Sequence, residues 1–580
     1  MEKWLRWGVY ALLWFAPLAF ASVELWARAV LVSVSVGMFG AWLLMQAWVV
    51  REGEQARYRA EWRELRALGW RKRLWARHPR LARALQHLTR GRFPSRKTLP
   101  DEPVHVYRLQ NYTYCAGRRF LRTGAELPLL LFFGLLIFQL LPMPPVMMKI
   151  VSPGTYRLYA QTLPGYGTGA VVWEPVIAEG RWLSLGLPKN TDELWKELEV
   201  EEGSEPPDAG SVEAWRFSDW LPLSVYPAAT LRDGLLVVSL GMVFFLCLQL
   251  FPTFERARWV LFHLVGSGFA VAFVGILQHV SGTRHLYGFR EIPYGFMGPF
   301  VNPNHFCTLM ELVFPVALGF VFINFIPPEQ KHFRVTPDGA SVVRRRRKKR
   351  EFTPNDFAKS FCFCFLTVGM LVAVGLARSR GGLLVTAWGL VLFGLLFVMY
   401  LQRGQGPSVT VIVVMVGLLV ALSLGAIVYL GWEEALVQEA RQIDLMHFGE
   451  EKRFYLWHDV WKGIQEFPLW GAGWGTFRTI FPYRRTVPGE RSIAEHAESD
   501  ILEIGLEGGL AALGLLGWAM AAVAMRSKVR LSPLHAGLGV GLANVLFHSV
   551  FDFPLRIPAV SFVFSVTAAI SASLGRVQEE

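Results

Sequence analysis

The chain has 580 residues, 53% of them hydrophobic and 14% aromatic, with a formal net charge of +13. Apolar runs of 18 or more residues recur along it. This excludes an ordinary soluble protein and reads as an all-α polytopic membrane protein, because each run can cross a hydrocarbon core of roughly 30 Å. The positive charge is crowded into loops between apolar runs, where basic residues anchor inner-membrane proteins, so no nucleic-acid partner is expected.

About twelve transmembrane helices are expected, near 7–24, 28–50, 126–144, 233–251, 259–279, 305–326, 359–377, 382–401, 409–430, 506–525, 533–551 and 557–575. Residues 1–50 supply the first two. The first run ends in AFASVE, which has the look of a signal-peptide cleavage site. A retained helix is expected, since its removal would invert the sidedness derived below. Residues 51–125 form a basic loop around WRKRLWARHPRLARALQHLTRGR, which reads as amphipathic helices on the inner leaflet or as a solvated hairpin. After the helix at 126–144, residues 145–232 read as a small external domain. Segments such as TYRLYAQTL and GAVVWEPVI suggest strands, and the acidic stretch 192–208 a solvated loop.

Residues 233–430 form the transmembrane core, with outer loops 280–305 and 377–382 and a second basic loop, 327–358, carrying RRRRKKR at 344–350. Residues 431–505 form a large, partly helical outer loop, and 506–580 the C-terminal transmembrane helices. With both termini inside, this count puts both basic loops in the cytoplasm and satisfies the positive-inside bias throughout. The five cysteines are Cys115, Cys247, Cys307, Cys362 and Cys364. They are scattered, which suits neither a zinc site nor a disulfide framework.

The unusual polar residues then fall on the outer face. Arg378 and Arg380 sit in the short hairpin ARSRGG, against the positive-inside bias. Such a pair forms a structural ion pair or an anion site, and a guanidinium fork suits phosphate. The 431–505 loop adds Arg453, Arg478, Arg484 and Arg485, and GAGWG at 471–475 is a turn whose N–H groups can face a phosphate or simply close a chain reversal. The loop ends in AEHAESD, residues 494–500. If this segment is helical, His496 and Asp500 stand at i, i+4 and the acid orients the imidazole. Glu495 and Glu498 fall on neighbouring faces, and Glu507 lies about two turns further on at the membrane edge. An ordinary polar helix cap accounts for the same residues equally well.

Five segments then carry a resemblance: GPFVNPNHF (298–306), ARSRGGLL (377–384), RFYLWHDVWKGIQEFPLWGAGWGTF (453–477), HAESDILEIGLEGGLAALG (496–514) and HSVFDFPLRIPA (548–559). Their order resembles the O-antigen ligase and O-antigen polymerase superfamily of bacterial inner-membrane glycosyltransferases. The resemblance covers the second half of the chain. It implies transfer of a glycan from a polyprenyl diphosphate donor to an acceptor at the periplasmic face. The acceptor is lipid A–core for a ligase, another lipid-linked glycan for a polymerase, or protein in related members. No metal, nucleotide sugar or other cofactor is implied, and the chain holds no Asp-x-Asp pair.

By this resemblance, Arg380 and Arg453 meet the diphosphate, with Arg290 and Arg378 behind them. Asn302, Asn304, Glu495 and Glu507 support the site, and Arg556 is structural. His496 or Glu498 is the base and Asp500 the orienting acid. Many members read His-x-His-Asn-Asp here. This chain has Glu498 at the second histidine position and Ser499 at the asparagine position, which leaves two candidates for the base. The rival class is a transporter or flippase of an anionic or glycan substrate. The two halves show no repeat, and the candidate residues gather at one face, which favours an enzyme.

Overall fold

A computed structural model describes residues 2–49, 112–115, 118–163, 166–167, 220–283, 285–288, 290–291, 297–323, 329–335, 341–347, 353–401, 452–484, 494–527 and 532–577. Most of the 51–125 loop, the strand expected at GAVVWEPVI, the acidic stretch and the span at 409–430 lie outside these residues. The described part is mainly helical. Helices α1 (Glu2–Leu18) and α2 (Leu25–Val49) are followed by α3 (Glu126–Leu140), then two short helices, α4 (Pro145–Val151) and α5 (Pro153–Thr162). Next come α6 (Pro227–Leu250), α7 (Phe254–Ser281), α8 (Pro303–Ile323), α9 (Pro354–Leu376) and α10 (Arg380–Leu401). The C-terminal part holds α11 (Lys452–Glu466), α12 (Phe477–Arg484), α13 (Asp500–Arg526), α14 (Pro533–His548) and α15 (Pro558–Val577).

Seven described helices are long and apolar enough to cross a membrane: α2, α6, α7, α8, α9, α10 and α13. Among the described residues these seven account for seven of the twelve expected spans, and the one at 409–430 lies outside the described residues. Helices α3 (15 residues) and α15 (20 residues) are further apolar helices outside those seven. The segment TYRLYAQTL is helix α5, not a strand. Pro153 opens it at the first turn, and Thr155, Leu158 and Tyr159 are buried at helical spacing, a period that its aromatic and β-branched residues obscure in the sequence. The basic loop 327–358 contains an antiparallel hairpin, Glu329–Val335 against Ser341–Arg347.

Helix α8 is the most enclosed of these helices, buried continuously from His305 to Phe322. It packs closely on α14 because Gly537 and Gly541 present no side chain there. A Cβ on Gly537 would fall 2.2 Å from the Pro315 carbonyl oxygen, and one on Gly541 2.4 Å from that of Leu312. Small residues that let helix backbones approach are the usual means of association in lipid.

Helix α13 is broken at Gly509, where φ is 65° and ψ −169°. The turn 467–476 fits into the break. The Leu510 and Ala511 N–H groups donate to the Pro468 and Leu469 carbonyls, and the Ala472 and Gly473 N–H groups donate to the Leu506 and Glu507 carbonyls. The Gln139 amide joins them, donating to the Trp470 and Glu507 carbonyls and accepting from the Trp474 N–H. Irregular backbone at membrane depth persists only where protein satisfies it in this way. The glycines of GAGWG therefore serve close packing. A Cβ on Gly471 would meet Glu507 backbone at 2.2 Å, and one on Gly475 would meet Asp233 Oδ2 at 2.4 Å.

Candidate active site

The N-terminal end of α13 lies against the loop that joins α14 to α15, with the Asp500 N–H donating to the Ser549 and Asp552 carbonyls. Residues 496–499 are not helical; Ser499 is the N-cap and α13 begins at Asp500. His496 and Asp500 therefore do not share a helix face. Asp500 is turned into the protein, where its Oδ2 accepts from Ser549 Oγ at 2.7 Å and from the Leu555 N–H at 3.0 Å. Glu503 takes the expected place of Asp500. Its Oε1 lies 3.0 Å from His496 Nδ1, and its Oε2 accepts the Ala497 N–H at 2.9 Å.

Arg556 completes the group. It forms ion pairs with Glu503 at 3.2 Å and Glu507 at 2.6 Å, and its guanidinium lies 4.4 Å from the centre of the Trp474 ring. One cation between two buried carboxylates, stacked on an aromatic face, is an arrangement that removal of either sign would leave with an uncompensated buried charge. Glu507 also accepts the Phe477 N–H at 2.9 Å. Burial disfavours the Arg556 cation, but Glu507 and then Glu503 hold its pKa above the ordinary value.

With Glu503 ionised beside Arg556, its oxygens can only accept, so Nδ1 of a neutral His496 carries the proton and Nε2 keeps a free lone pair. Burial opposes the imidazolium. The Glu503 charge and hydrogen bond outweigh it, and the pKa rises above the ordinary 6.5. Glu498 is held differently. Its φ of 51° is left-handed, and its Oε2 accepts from Arg453 at 3.2 Å. Burial, followed by the charge of Asp552, raises its pKa against the opposing effect of Arg453.

A cavity of about 700 Å³ opens in front of His496. Its polar wall includes His496, Glu503, Glu507 and Arg556, and its rim carries Arg28, Arg232, Asp233, Arg478 and Glu495. Below, apolar residues of α3, α6, α13 and α15 line a slot that runs down α13 to Val523. At the rim, Asp233 is shared by Arg28 at 2.6 Å and Arg232 at 3.1 Å, and Glu495 pairs with Arg478 at 3.6 Å.

Some sequence candidates are not part of the cavity wall. Arg380, Arg378, Arg453, Arg290 and Glu498 do not line it. Arg290 pairs with Glu24 and stacks on Phe20. Arg380 is exposed at the start of α10, and Arg378 is exposed with a left-handed φ of 53°. Asn302 caps α8, accepting the Asn304 N–H on its side chain and the Phe306 N–H on its carbonyl. Asn304 binds loops together: its Nδ2 donates to Asp552 at 2.7 Å, and its Oδ1 accepts from Ser379 at 2.6 Å.

Sequence reasoning missed Glu503, Asp552 and the central place of Arg556. Glu503 and Glu507 stand at i, i+4 near the start of an apolar helix, a spacing that marks both. The partners of Asp552 and Arg556 come from distant segments, and no local spacing reveals them.

Residues 365–519 match the family model of the O-antigen ligase. No curated protein matches the chain. A match to this family model implies a transferase of the glycan ligase or polymerase type, acting on lipid-linked glycans. The matched segment holds Arg380, Arg453, His496, Glu503 and Glu507. Asn304, Asp552 and Arg556 lie outside it, although the fold brings them to the same group.

Proposed function

We propose that this protein is an inverting, metal-independent glycosyltransferase of the O-antigen ligase type, a multi-pass protein of the bacterial inner membrane working at the periplasmic face. It moves a glycan from a polyprenyl diphosphate to a sugar hydroxyl of an acceptor such as lipid A–core. The observation that carries this reading is the His496 imidazole on the cavity wall, held through Nδ1 by a buried Glu503, above an apolar slot.

His496 Nε2 takes the proton of the acceptor hydroxyl as its oxygen attacks the anomeric carbon. The bond from that carbon to the diphosphate oxygen breaks, and the electron pair leaves on the diphosphate. Glu503 stabilises the imidazolium that forms, while Arg556 keeps Glu503 ionised. The polyprenyl chain suits the apolar slot, which puts the diphosphate near the rim. Arg28, Arg232 and Arg478 on the cavity wall are the cations placed to meet its charge, while Arg380 and Arg453, which do not line the cavity, hold that role only as the resemblance implies. Glu498, tied to Arg453 and not part of the cavity wall, is the weaker candidate for the base.

The test uses membrane vesicles containing the full chain, a polyprenyl-diphosphate oligosaccharide and an acceptor glycolipid, with no metal added. Formation of the transferred glycan, and its loss in His496→Gln, is the expected result. A product longer by one lipid-linked repeat would assign the polymerase reaction instead. Donor that crosses the bilayer unchanged, with no product, would overturn the transferase reading in favour of transport. Full activity in both Arg380→Ala and Arg453→Ala would remove these two from the diphosphate site and leave the rim arginines.

A further inference from the structure

Behind His496 lies a second construction that the proposed chemistry does not use. Phe553 stacks on the imidazole, with ring centres 4.2 Å apart and planes 21° from parallel. Its own position is closely fixed. The Phe553 N–H donates to Asp552 Oδ1 at 2.7 Å, and its ring meets His305 edge-on at 4.7 Å. Asp552 is held in turn by Asn304 Nδ2 at 2.7 Å and by His305 Nε2 at 3.3 Å. Asn304 also accepts from Ser379, so the hairpin between α9 and α10 is tied to the same point. Phe553 is only 9% exposed.

We infer that Phe553 is a positioning residue for the His496 imidazole, held in place by the Asn304–Asp552–His305 clamp. The inference rests on the reading of His496 as the base. Glu503 fixes one ring nitrogen but leaves the ring free to swing about that contact. A flat apolar face against the ring removes this freedom and sets the plane in which Nε2 meets the hydroxyl. The same face favours the imidazolium formed during the reaction, since an aromatic quadrupole attracts a cation. Phe553 thus acts through His496 without touching the reacting atoms, and the clamp acts through Phe553.

The test uses the full chain in detergent or vesicles, with Phe553→Leu, Phe553→Trp and Asn304→Ala. Carbethoxylation of His496 by diethyl pyrocarbonate, followed by mass spectrometry, reports access to the imidazole without any assay of transfer. Exposed His458 serves as the internal reference. Phe553→Leu and Asn304→Ala are expected to speed modification of His496 about 3-fold or more relative to His458, and Phe553→Trp to restore the slow rate. In the transfer assay, Phe553→Leu is expected to lower kcat on the order of ten-fold with KM little changed, and Phe553→Trp to recover most of it. Unchanged His496 reactivity in both Phe553→Leu and Asn304→Ala would overturn the inference. If the unaltered chain transfers no glycan, the functional reading fails, and the reactivity measurement still decides the positioning role.

Discussion

Two histidines in this protein make the same contact in different surroundings. His496 sets its Nδ1 3.0 Å from Glu503, and His548 sets its Nδ1 2.8 Å from Glu311. The His496 side chain is 31% exposed on a cavity wall, while His548 and Glu311 are both 0% exposed among α8, α10 and α14. Thr308 Oγ1 also lies 3.2 Å from His548 Nδ1, and Asp552 3.8 Å from its Nε2. One imidazole can pass a proton to a bound molecule; the other is enclosed and ties α8 to α14. The same pair of residue types is open to a cavity in one place and a structural tie in the other, according to what reaches the second nitrogen.

The largest test of this difference is activity. His496→Gln is expected to lower kcat by about 10²- to 10⁴-fold, the usual range for loss of a general base, with the fold intact. Stability is expected to invert the ranking. His548→Leu leaves the Glu311 carboxylate buried without its partner and should cost about 3 kcal/mol or more in an unfolding titration in detergent. His496→Gln should cost less than about 1 kcal/mol, because Glu503 keeps Arg556 and the Ala497 N–H. The double change Glu311→Met with His548→Leu should recover most of the stability lost in His548→Leu. Failure to recover it would mean that the pair contributes more than mutual compensation.

The pH dependence sharpens the comparison. His496 must be neutral to accept a proton, and its pKa is raised above 6.5. The rate should therefore increase with pH, with the midpoint of this acidic limb above 6.5. Glu503→Gln removes the charge that raises the imidazole pKa, so the limb should move to lower pH while the maximal rate falls. A limb unmoved in this variant would mean that the limiting group is not His496. The smallest effect expected is at Arg453, whose contact with Glu498 is partly exposed. Arg453→Ala should raise KM for the donor about ten-fold, as expected for loss of one charge-assisted contact to phosphate.

Much of the fold class was legible because hydrophobic run length is a local property. Runs at 28–50, 233–251, 259–279, 305–326, 359–377 and 382–401 each correspond to a helix long enough to span a bilayer. The run at 126–144 corresponds to the shorter helix α3, whose regular part stops at Leu140. The site was legible in part. His496 and Glu507, both candidates from the sequence, line the cavity. Asp500 was misplaced because its pairing with His496 assumed a helix that starts four residues earlier than α13 does. Arg556, expected as structural, holds two buried ion pairs, and its counter-charges Glu503 and Glu507 lie about fifty residues earlier, beyond the reach of local spacing.

The sequence alone determined that the chain is helical and membrane-embedded. It also determined that His496 lies next to an apolar helix and that the glycines of GAGWG make a turn. Each follows from residues within a few turns of one another. Only the tertiary structure decided that the turn enters a break in α13, that Glu503 rather than Asp500 holds the imidazole, and that Arg556 neutralises both glutamates. It likewise decided that Phe553 covers the imidazole ring. A buried charge takes its partner from whichever segment the packing brings within about 3–4 Å. Here those partners are separated by up to about two hundred and fifty residues, as in the contact of Asn304 with Asp552.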